Sequence, residues 1–441
     1  MRPLYLFFKM IMFYGLRVFF RKTITVNSRK KFRDQSINVV NHASAFMDPW
    51  VIAELQKPIV FFMTRGDIFK PAIKPLLSSA HLLPIFRRAE DGTDSTKKNE
   101  AVFRKVYETL DSKRSIMIFG EGYTDDVFVR SLKSIKKGPA RMAFGKMELC
   151  NWEMDLKIVA SGINYQDPNS FRSDVLVSNS EPILVKDYKN IYLENPAKAI
   201  NKLTLDIQNA LQQQLTFLEE PTLTPFLDHI QTITKKGMVP FQSSRKLSLV
   251  DKWKYSQKTA NSINKNYSIE KPEWVNLKLK LENYFAKIKS NQINDNWIKE
   301  YSDKGKLNTL PQWLFLTMGF PFFILGCIHN FLPYFFIKRF VEKSFKRRVF
   351  WSGVKFLMGY LIMFLVNLPY LWVFYHLIYA SWILAWLYVL LATVGFGLIA
   401  YNYYFSAKSL FIKRKLSDKH LKYFSALRLQ INEMIINLKL N

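Results

Sequence analysis

The stretch Asn41-His42-Ala43-Ser44-Ala45-Phe46-Met47-Asp48-Pro49 joins a short apolar run, Ile37-Asn38-Val39-Val40, to a helix-like run over residues 49–56. A histidine and an aspartate therefore sit at a strand-to-helix turn, a place where side chains are exposed for chemistry. On one continuous helix six residues advance about 600°, so the two side chains would face apart. They meet only if His42 lies on the turn and Asp48 at the helix start. Pro49 favours that arrangement, because proline suits the first helical position and makes Asp48 the N-cap. Taken alone, the turn reads as a helix cap beside a loop histidine. The rest of the chain decides otherwise.

Outward from this turn, residues 23–190 alternate between strand and helix patterns. Strands are expected at 37–41, 59–64, 115–119, 156–165 and 174–178, and helices at 49–56, 70–80, 96–112 and 137–149. That alternation predicts an α/β fold, a mixed, largely parallel sheet with flanking helices. Residues 191–309 are polar and Lys/Asn-rich with helical spacing, broken by Pro221, Pro225, Pro240 and Pro272. They read as a helical linker or lid region.

The chain has 441 residues and a net charge of +29, with 49% hydrophobic and 15% aromatic residues. Such a cationic excess points to a polyanion, either nucleic acid or an anionic membrane surface. The apolar segments near the C-terminus select the membrane. The basic residues flank those segments and the linker instead of interleaving with a recognition motif, which argues against nucleic acid. The two cysteines, Cys150 and Cys327, support neither a disulfide framework nor a zinc site. No metal-ligand cluster is visible, and no cofactor is expected.

Residues 1–22 carry Arg2, Lys9, Arg17 and Arg21 within an arc of about 120° on a helical wheel. Leu4, Phe7, Phe8, Ile11 and Phe19 lie on the other face. This is the pattern of an interfacial membrane helix, not a cleavable signal. From Phe356 to Ala407 there is no Asp, Glu, Lys or Arg. A transmembrane hairpin over 353–407 is expected, with both basic flanks cytoplasmic. Residues 310–336, interrupted by Pro321, His329, Asn330 and Pro333, read as a re-entrant or interfacial apolar segment. Residues 408–441 read as a basic amphipathic tail.

Three further stretches carry chemistry. In Leu83-Pro84-Ile85-Phe86-Arg87-Arg88-Ala89-Glu90-Asp91-Gly92 an apolar strand ends in two arginines, whose planar forks suit phosphate. In Phe119-Gly120-Glu121-Gly122-Tyr123-Thr124 a strand runs into a Gly-x-Gly turn with one carboxylate at its tip. In Ser134-Ile135-Lys136-Lys137-Gly138-Pro139-Ala140-Arg141 a basic loop enters a helix, a ready anion site.

Together these stretches resemble the glycerolipid acyltransferase family, the glycerol-3-phosphate and 1-acylglycerol-3-phosphate acyltransferases among them. The resemblance covers roughly residues 30–190, in four blocks. Asn41-His42…Asp48 resembles the His-x4-Asp block with one extra residue. Leu83-Pro84-Ile85-Phe86-Arg87 resembles the second block, Phe119-Gly120-Glu121-Gly122 the third, and Val159-Ala160-Ser161-Gly162-Ile163-Asn164-Tyr165 the fourth. Gly120 and Ala160 stand where the family's pattern has proline, and Gly120 is expected to loosen the turn that holds Glu121. The resemblance implies His42 and Asp48 as the catalytic dyad and Arg87 as the phosphate contact. Glu121 and Gly122 would shape the acceptor pocket, with Arg88, Lys136 and Arg141 as further anion contacts. It implies acyl-CoA or acyl-carrier protein as donor, a phosphorylated glycerol as acceptor, and a catalytic domain on the cytoplasmic face of the cell inner membrane. Two other readings stay open from the residues alone: an acyltransferase for a non-glycerol acceptor lipid, and a non-catalytic membrane scaffold.

Overall fold

The structure is a computed structural model that describes residues 3–27, 35–55, 60–86, 95–239, 247–267 and 271–440. The chain forms two compact units, Met1–Thr224 with Arg245–Asn264, and Pro225–Ser244 with Lys265–Asn441.

The first unit is built on an eight-stranded sheet. Its strands are β1 (Lys22–Val26), β2 (Ser36–Val40), β3 (Val60–Arg65), β4 (Leu82–Ile85), β5 (Ser115–Phe119), β6 (Lys157–Tyr165), β7 (Asp174–Asn179) and β8 (Ile183–Leu184). The order is β1-β7-β6-β2-β5-β3-β4, with β8 on β6. β6–β7 and β6–β8 are antiparallel and every other pair is parallel. This is the mixed, largely parallel sheet that the alternating pattern predicts.

Side chains alternate across a strand. Ile37 and Val39 of β2, Ile116 and Ile118 of β5, and Ile158 and Ala160 of β6 therefore share one face. Helices Ser95–Asp111, Gly138–Leu149 and Pro196–Gln213 cover it. The last of these places Ala199, Leu203, Ile207 and Leu211 in that core with no exposure. Four apolar residues at a spacing of four make a stripe that must be buried. The unit thus extends past residue 190, and this part of the expected linker is a wall of the sheet domain. Of the helix expected over 70–80, only Lys74–Ser79 forms.

Within residues 1–22, expected as an interfacial membrane helix, Pro3–Phe19 is helical. Tyr5, Met12 and Leu16 are buried, so one face docks on the domain. Arg17 in the helix and Arg21 just past its end are tied to buried carboxylates. Arg17 pairs with Glu54 at 2.7 Å and Arg21 with Asp174 at 2.5 Å. Leu6, Met10, Phe13 and Tyr14 remain exposed.

The second unit is helical. Asp295 opens the helix Asp295–Lys304 and is fully buried. Its Oδ2 accepts from Lys235 Nζ at 2.5 Å, and its Oδ1 from the Tyr284 hydroxyl at 2.7 Å and Arg428 Nε at 3.0 Å. Arg428 also donates to the Ile233 carbonyl. Burial lowers the Lys235 ammonium pKa, against the pull of Asp295. Four segments of the unit thus converge on one carboxylate.

Three helices are long and apolar enough to cross a membrane, Leu310–Ser344, Arg348–Ile378 and Trp382–Lys415. Residues 310–336, expected to be re-entrant or interfacial, belong to one continuous helix that contains Pro321 and Pro333 and makes no reversal of its own. At 1.5 Å per residue its 35 residues extend about 50 Å. The first and third helices run antiparallel. Gln312 bonds Ser409 and Lys413, Phe323 stacks on Tyr403, and Asn330 donates to the Ala392 carbonyl. At Gly326 an added Cβ would lie 2.2 Å from the Phe396 carbonyl oxygen, so only glycine admits this approach. Because Gln312 and Lys413 touch, the two ends of the apolar stretch lie together. For a chain embedded in a bilayer, this contact requires an even number of complete crossings between the two residues.

Two outcomes follow. Asp295→Ala leaves two buried cations without their partner and lowers stability by about 3–5 kcal/mol, read as a fall in Tm of the purified protein. In a background free of Cys150 and Cys327, Thr309→Cys and Ser417→Cys react with an impermeant maleimide from the same side of sealed vesicles. Labelling from opposite sides would overturn the even count.

Candidate active site

Because β2, β5, β3 and β4 run parallel, and β2 is parallel to β6, their carboxyl ends share one edge of the sheet. Open sheets bind ligands at that edge. Register sets Val40 beside Phe119 and Ser161. The His42 turn, the Glu121 turn and the end of β6 are therefore neighbours, although they are far apart in sequence.

The extra residue between His42 and Asp48 is absorbed by a tight turn. Ala45 adopts a left-handed φ of 41°, and the Met47 amide donates to the Ser44 carbonyl. The helix begins at Met47, so Asp48 lies inside its first turn and is not the cap residue before it. His42 Nδ1 then sits 2.8 Å from Asp48 Oδ2, which also accepts the Ser44 amide at 2.8 Å. An ionised carboxylate only accepts, so Nδ1 carries a proton and Nε2 keeps its lone pair. The imidazole stacks on Phe119, 4.2 Å between centroids, and remains 19% exposed. Asp48 is fully buried. The pair is a solvent-reachable base backed by a dry carboxylate.

Glu121 is 4% exposed. Its Oε1 accepts the His42 amide at 2.6 Å and its Oε2 the Lys133 amide at 3.0 Å. Burial raises its carboxyl above the ordinary range, opposed by those two amides. Each oxygen thus holds a backbone amide, and Glu121 ties the His42 turn to the 120–136 loop. Gly122 has a φ of 80°, and the stem of Lys136 runs alongside it. Gly120 does not loosen the turn. Its amide donates to the Val40 carbonyl, which a proline lacks the hydrogen to do, and its carbonyl accepts the Lys136 amide. An added Cβ there would meet Val39 at 2.7 Å and Ile135 at 2.9 Å.

Lys136 and Arg141 are exposed at the start of helix Gly138–Leu149, and among the described residues neither side chain is paired. Arg87 and Arg88 lie outside the described residues. The backbone just before them is held: Asn99 accepts the Phe86 amide at 3.0 Å and donates to the Phe86 carbonyl at 2.7 Å. A cavity of about 430 Å³ lies next to the Glu121 loop, lined by Asp125, Asp126, Lys133 and Glu219 among others. It contains neither dyad residue, and Val127, Val129, Leu132 and Pro221 line it beside the charged groups. Among the described residues no group of His, Cys, Asp and Glu is arranged to hold a metal.

Two further residues hold the site in ways that their sequence blocks do not show. Asn41 bonds both the amide and the carbonyl of Ile163, at 2.7 and 3.2 Å, and so locks β2 to β6 beside the dyad. Tyr165 reaches Asp48 from the end of β6. Tyr165 closes the fourth apolar block, but the pattern of that block says only that it is a buried strand.

Known proteins share this arrangement in part. Residues 23–159 match the family model described as Acyltransferase. Glycerol-3-phosphate O-acyltransferase 2 of Saccharomyces cerevisiae is 34% identical over 114 residues, 26% of this chain and 15% of the relative. Glycerol-3-phosphate O-acyltransferase 1 of the same yeast is 33% identical over 155 residues, 34% of this chain and 19% of the relative. The chain thus spans under one fifth of the length of either. The crystal structure of the 1-acyl-sn-glycerophosphate (LPA) acyltransferase PlsC from Thermotoga maritima aligns with a TM-score of 0.32 at 15% identity, over 46% of this chain and 78% of that one. Over residues 23–159, this chain is similar to the proteins that the Acyltransferase family model describes.

Proposed function

We propose that this protein is a membrane-bound O-acyltransferase. It moves a fatty acyl group from an acyl thioester to a hydroxyl of glycerol-3-phosphate or 1-acylglycerol-3-phosphate. The observation that carries the reading is the contact between His42 Nδ1 and the buried Asp48 carboxylate. The relatives, named as glycerol-3-phosphate acyltransferases, support the substrate class.

An alcohol is a weak nucleophile at neutral pH, so its proton must leave as it attacks. His42 Nε2 takes that proton. Asp48 holds the tautomer and stabilises the imidazolium that forms. The hydroxyl oxygen attacks the thioester carbonyl directly, the C–S bond breaks, and the proton held by His42 goes to the departing thiolate. No acyl-enzyme is needed. Arg87 binds the acceptor's phosphate, and the unpaired Lys136 and Arg141 draw anions to the same edge. Arg88 adds a further cation. The exposed apolar face of the N-terminal helix and the apolar helices hold the protein at the leaflet that supplies lipid, on the cytoplasmic side of the inner membrane.

Purified protein in nanodiscs, given labelled acyl-CoA or acyl-carrier protein with each acceptor in turn, transfers label to one of them. His42→Ala lowers that rate by about 10²–10⁴-fold. Label transfer unaffected in the variant would remove His42 from the chemistry. Arg87→Ala raises the acceptor's KM more than it lowers kcat, because a phosphate contact far from the reacting carbon binds ground and transition states alike. Glu121→Gln does the reverse. It loses one backbone tie under His42, so kcat falls by about tenfold with acceptor KM little changed. A dominant KM effect there would place Glu121 on the acceptor.

A further inference from the structure

We propose that Tyr165 is a positioning residue for the His42–Asp48 pair, acting through the second carboxylate oxygen of Asp48. The proposal rests on the acyl-transfer reading for its effect on rate. Its effect on His42 is independent of that reading.

Asp48 has no solvent exposure, so each of its oxygens must be satisfied by the protein. Oδ2 takes the His42 ring and the Ser44 amide. Oδ1 takes the Tyr165 hydroxyl at 2.8 Å. A carboxylate held by Oδ2 alone is free to rotate about its C–C bond. The donor on Oδ1 fixes the carboxylate plane, and so keeps Oδ2 aimed at Nδ1.

Tyr165 is itself held rigidly. It is fully buried at the last position of β6. Its ring lies 5.9 Å from Phe20 and edge-on to Phe128 at 6.4 Å. Arg130, 5% exposed, donates to the carbonyls of Tyr165 and Gln166 at 3.0 and 3.1 Å. Two residues earlier, Asn41 grips Ile163. The hydroxyl is therefore delivered to Asp48 from the strand next to the one that delivers His42. Burial and the adjacent Asp48 push the phenol pKa well up, so it stays a donor.

The donor also has an electrostatic consequence. A hydrogen bond to Oδ1 draws charge from the carboxylate and tempers its hold on the imidazolium. Tyr165 thus sets how basic His42 is, besides where it points. The other groups facing His42 stay constant in the comparison: Glu121 on its backbone amide, Lys133 behind Glu121 and paired with Asp125, and Lys136 beside Gly122.

The test follows His42 by NMR of protein with ¹⁵N-labelled histidine, assigned against His42→Ala among the six histidines. Tyr165→Phe keeps the ring and removes the donor. The expected result is that His42 titrates higher than in the wild type. kcat falls by about tenfold with acceptor KM within about twofold, and the acid limb of kcat/KM moves up with the titration. In an Asp48→Asn background Tyr165→Phe has no further effect, since its path to the base is already cut. 3-Fluorotyrosine placed at 165 alone is the second variant, for the case where Tyr165→Phe does not fold. Its more acidic phenol donates more strongly, and His42 titrates lower. An unchanged His42 titration in a folded variant, or a full loss of rate from Tyr165→Phe in the Asp48→Asn background, overturns the proposal. If the wild type transfers no acyl group, the acyl-transfer reading fails, while the His42 titration still decides the role of Tyr165.

Discussion

The fully buried carboxylate of Asp48 is the constraint around which the first unit is arranged. An ionised group removed from water is tolerated only when its oxygens are filled by donors. Those donors come from three places: the ring of His42, the amide of Ser44 on the turn, and the hydroxyl of Tyr165 at the end of β6. Each demands that part of the chain be where it is. The turn must tighten at Ala45, β6 must lie beside β2, and the end of β6 must be clamped by Arg130 and Asn41. The parallel sheet supplies the edge, and the carboxylate decides which side chains gather there.

Glu121 repeats the principle one strand over. Its two oxygens hold two backbone amides, one of them belonging to His42. The base is thus fixed at both ends, its ring by one acid and its backbone by another. Such double fixation is what general-base chemistry needs, because an imidazole displaced by an ångström loses most of its advantage. The second unit uses the same device for another purpose. Asp295 gathers Lys235, Tyr284 and Arg428 and so fastens the C-terminal helix Asp418–Asn437 to the helices that precede the apolar stretch. That closure brings Gln312 and Lys413 together and fixes the parity of the membrane crossings.

Much of this was legible in the residues. The His42-to-Asp48 turn, the Gly-x-Gly turn at Glu121 and the alternation of strand and helix are local patterns, and local patterns survive in a linear reading. The backbone partners of Glu121 were not legible: a carboxylate on a glycine turn does not show in sequence that it holds the amides of His42 and Lys133. Arg17 and Arg21 went the same way. On a helical wheel they belong to a lipid-facing cationic stripe, whereas Glu54 and Asp174, 37 and 153 residues away, claim them. Gly120 appeared to slacken its turn because a missing proline ring is visible in sequence and a close-packed Val39 and Ile135 are not.

By itself, the sequence determined what period-two and period-four patterning can encode. It specified the α/β class, the apolar stretches long enough for a bilayer, and a histidine and aspartate at one strand end. Only the tertiary structure decided which groups share the dyad. Tyr165 meets Asp48 across 117 residues, through the pairing of β6 with β2. It likewise decided that the helix Leu310–Ser344 runs through without turning back and that both ends of the apolar stretch meet. The physical reason is the same in each case. Propensity and periodicity act over a few residues, while the saturation of a buried charge recruits donors from wherever the fold brings them within about 3 Å.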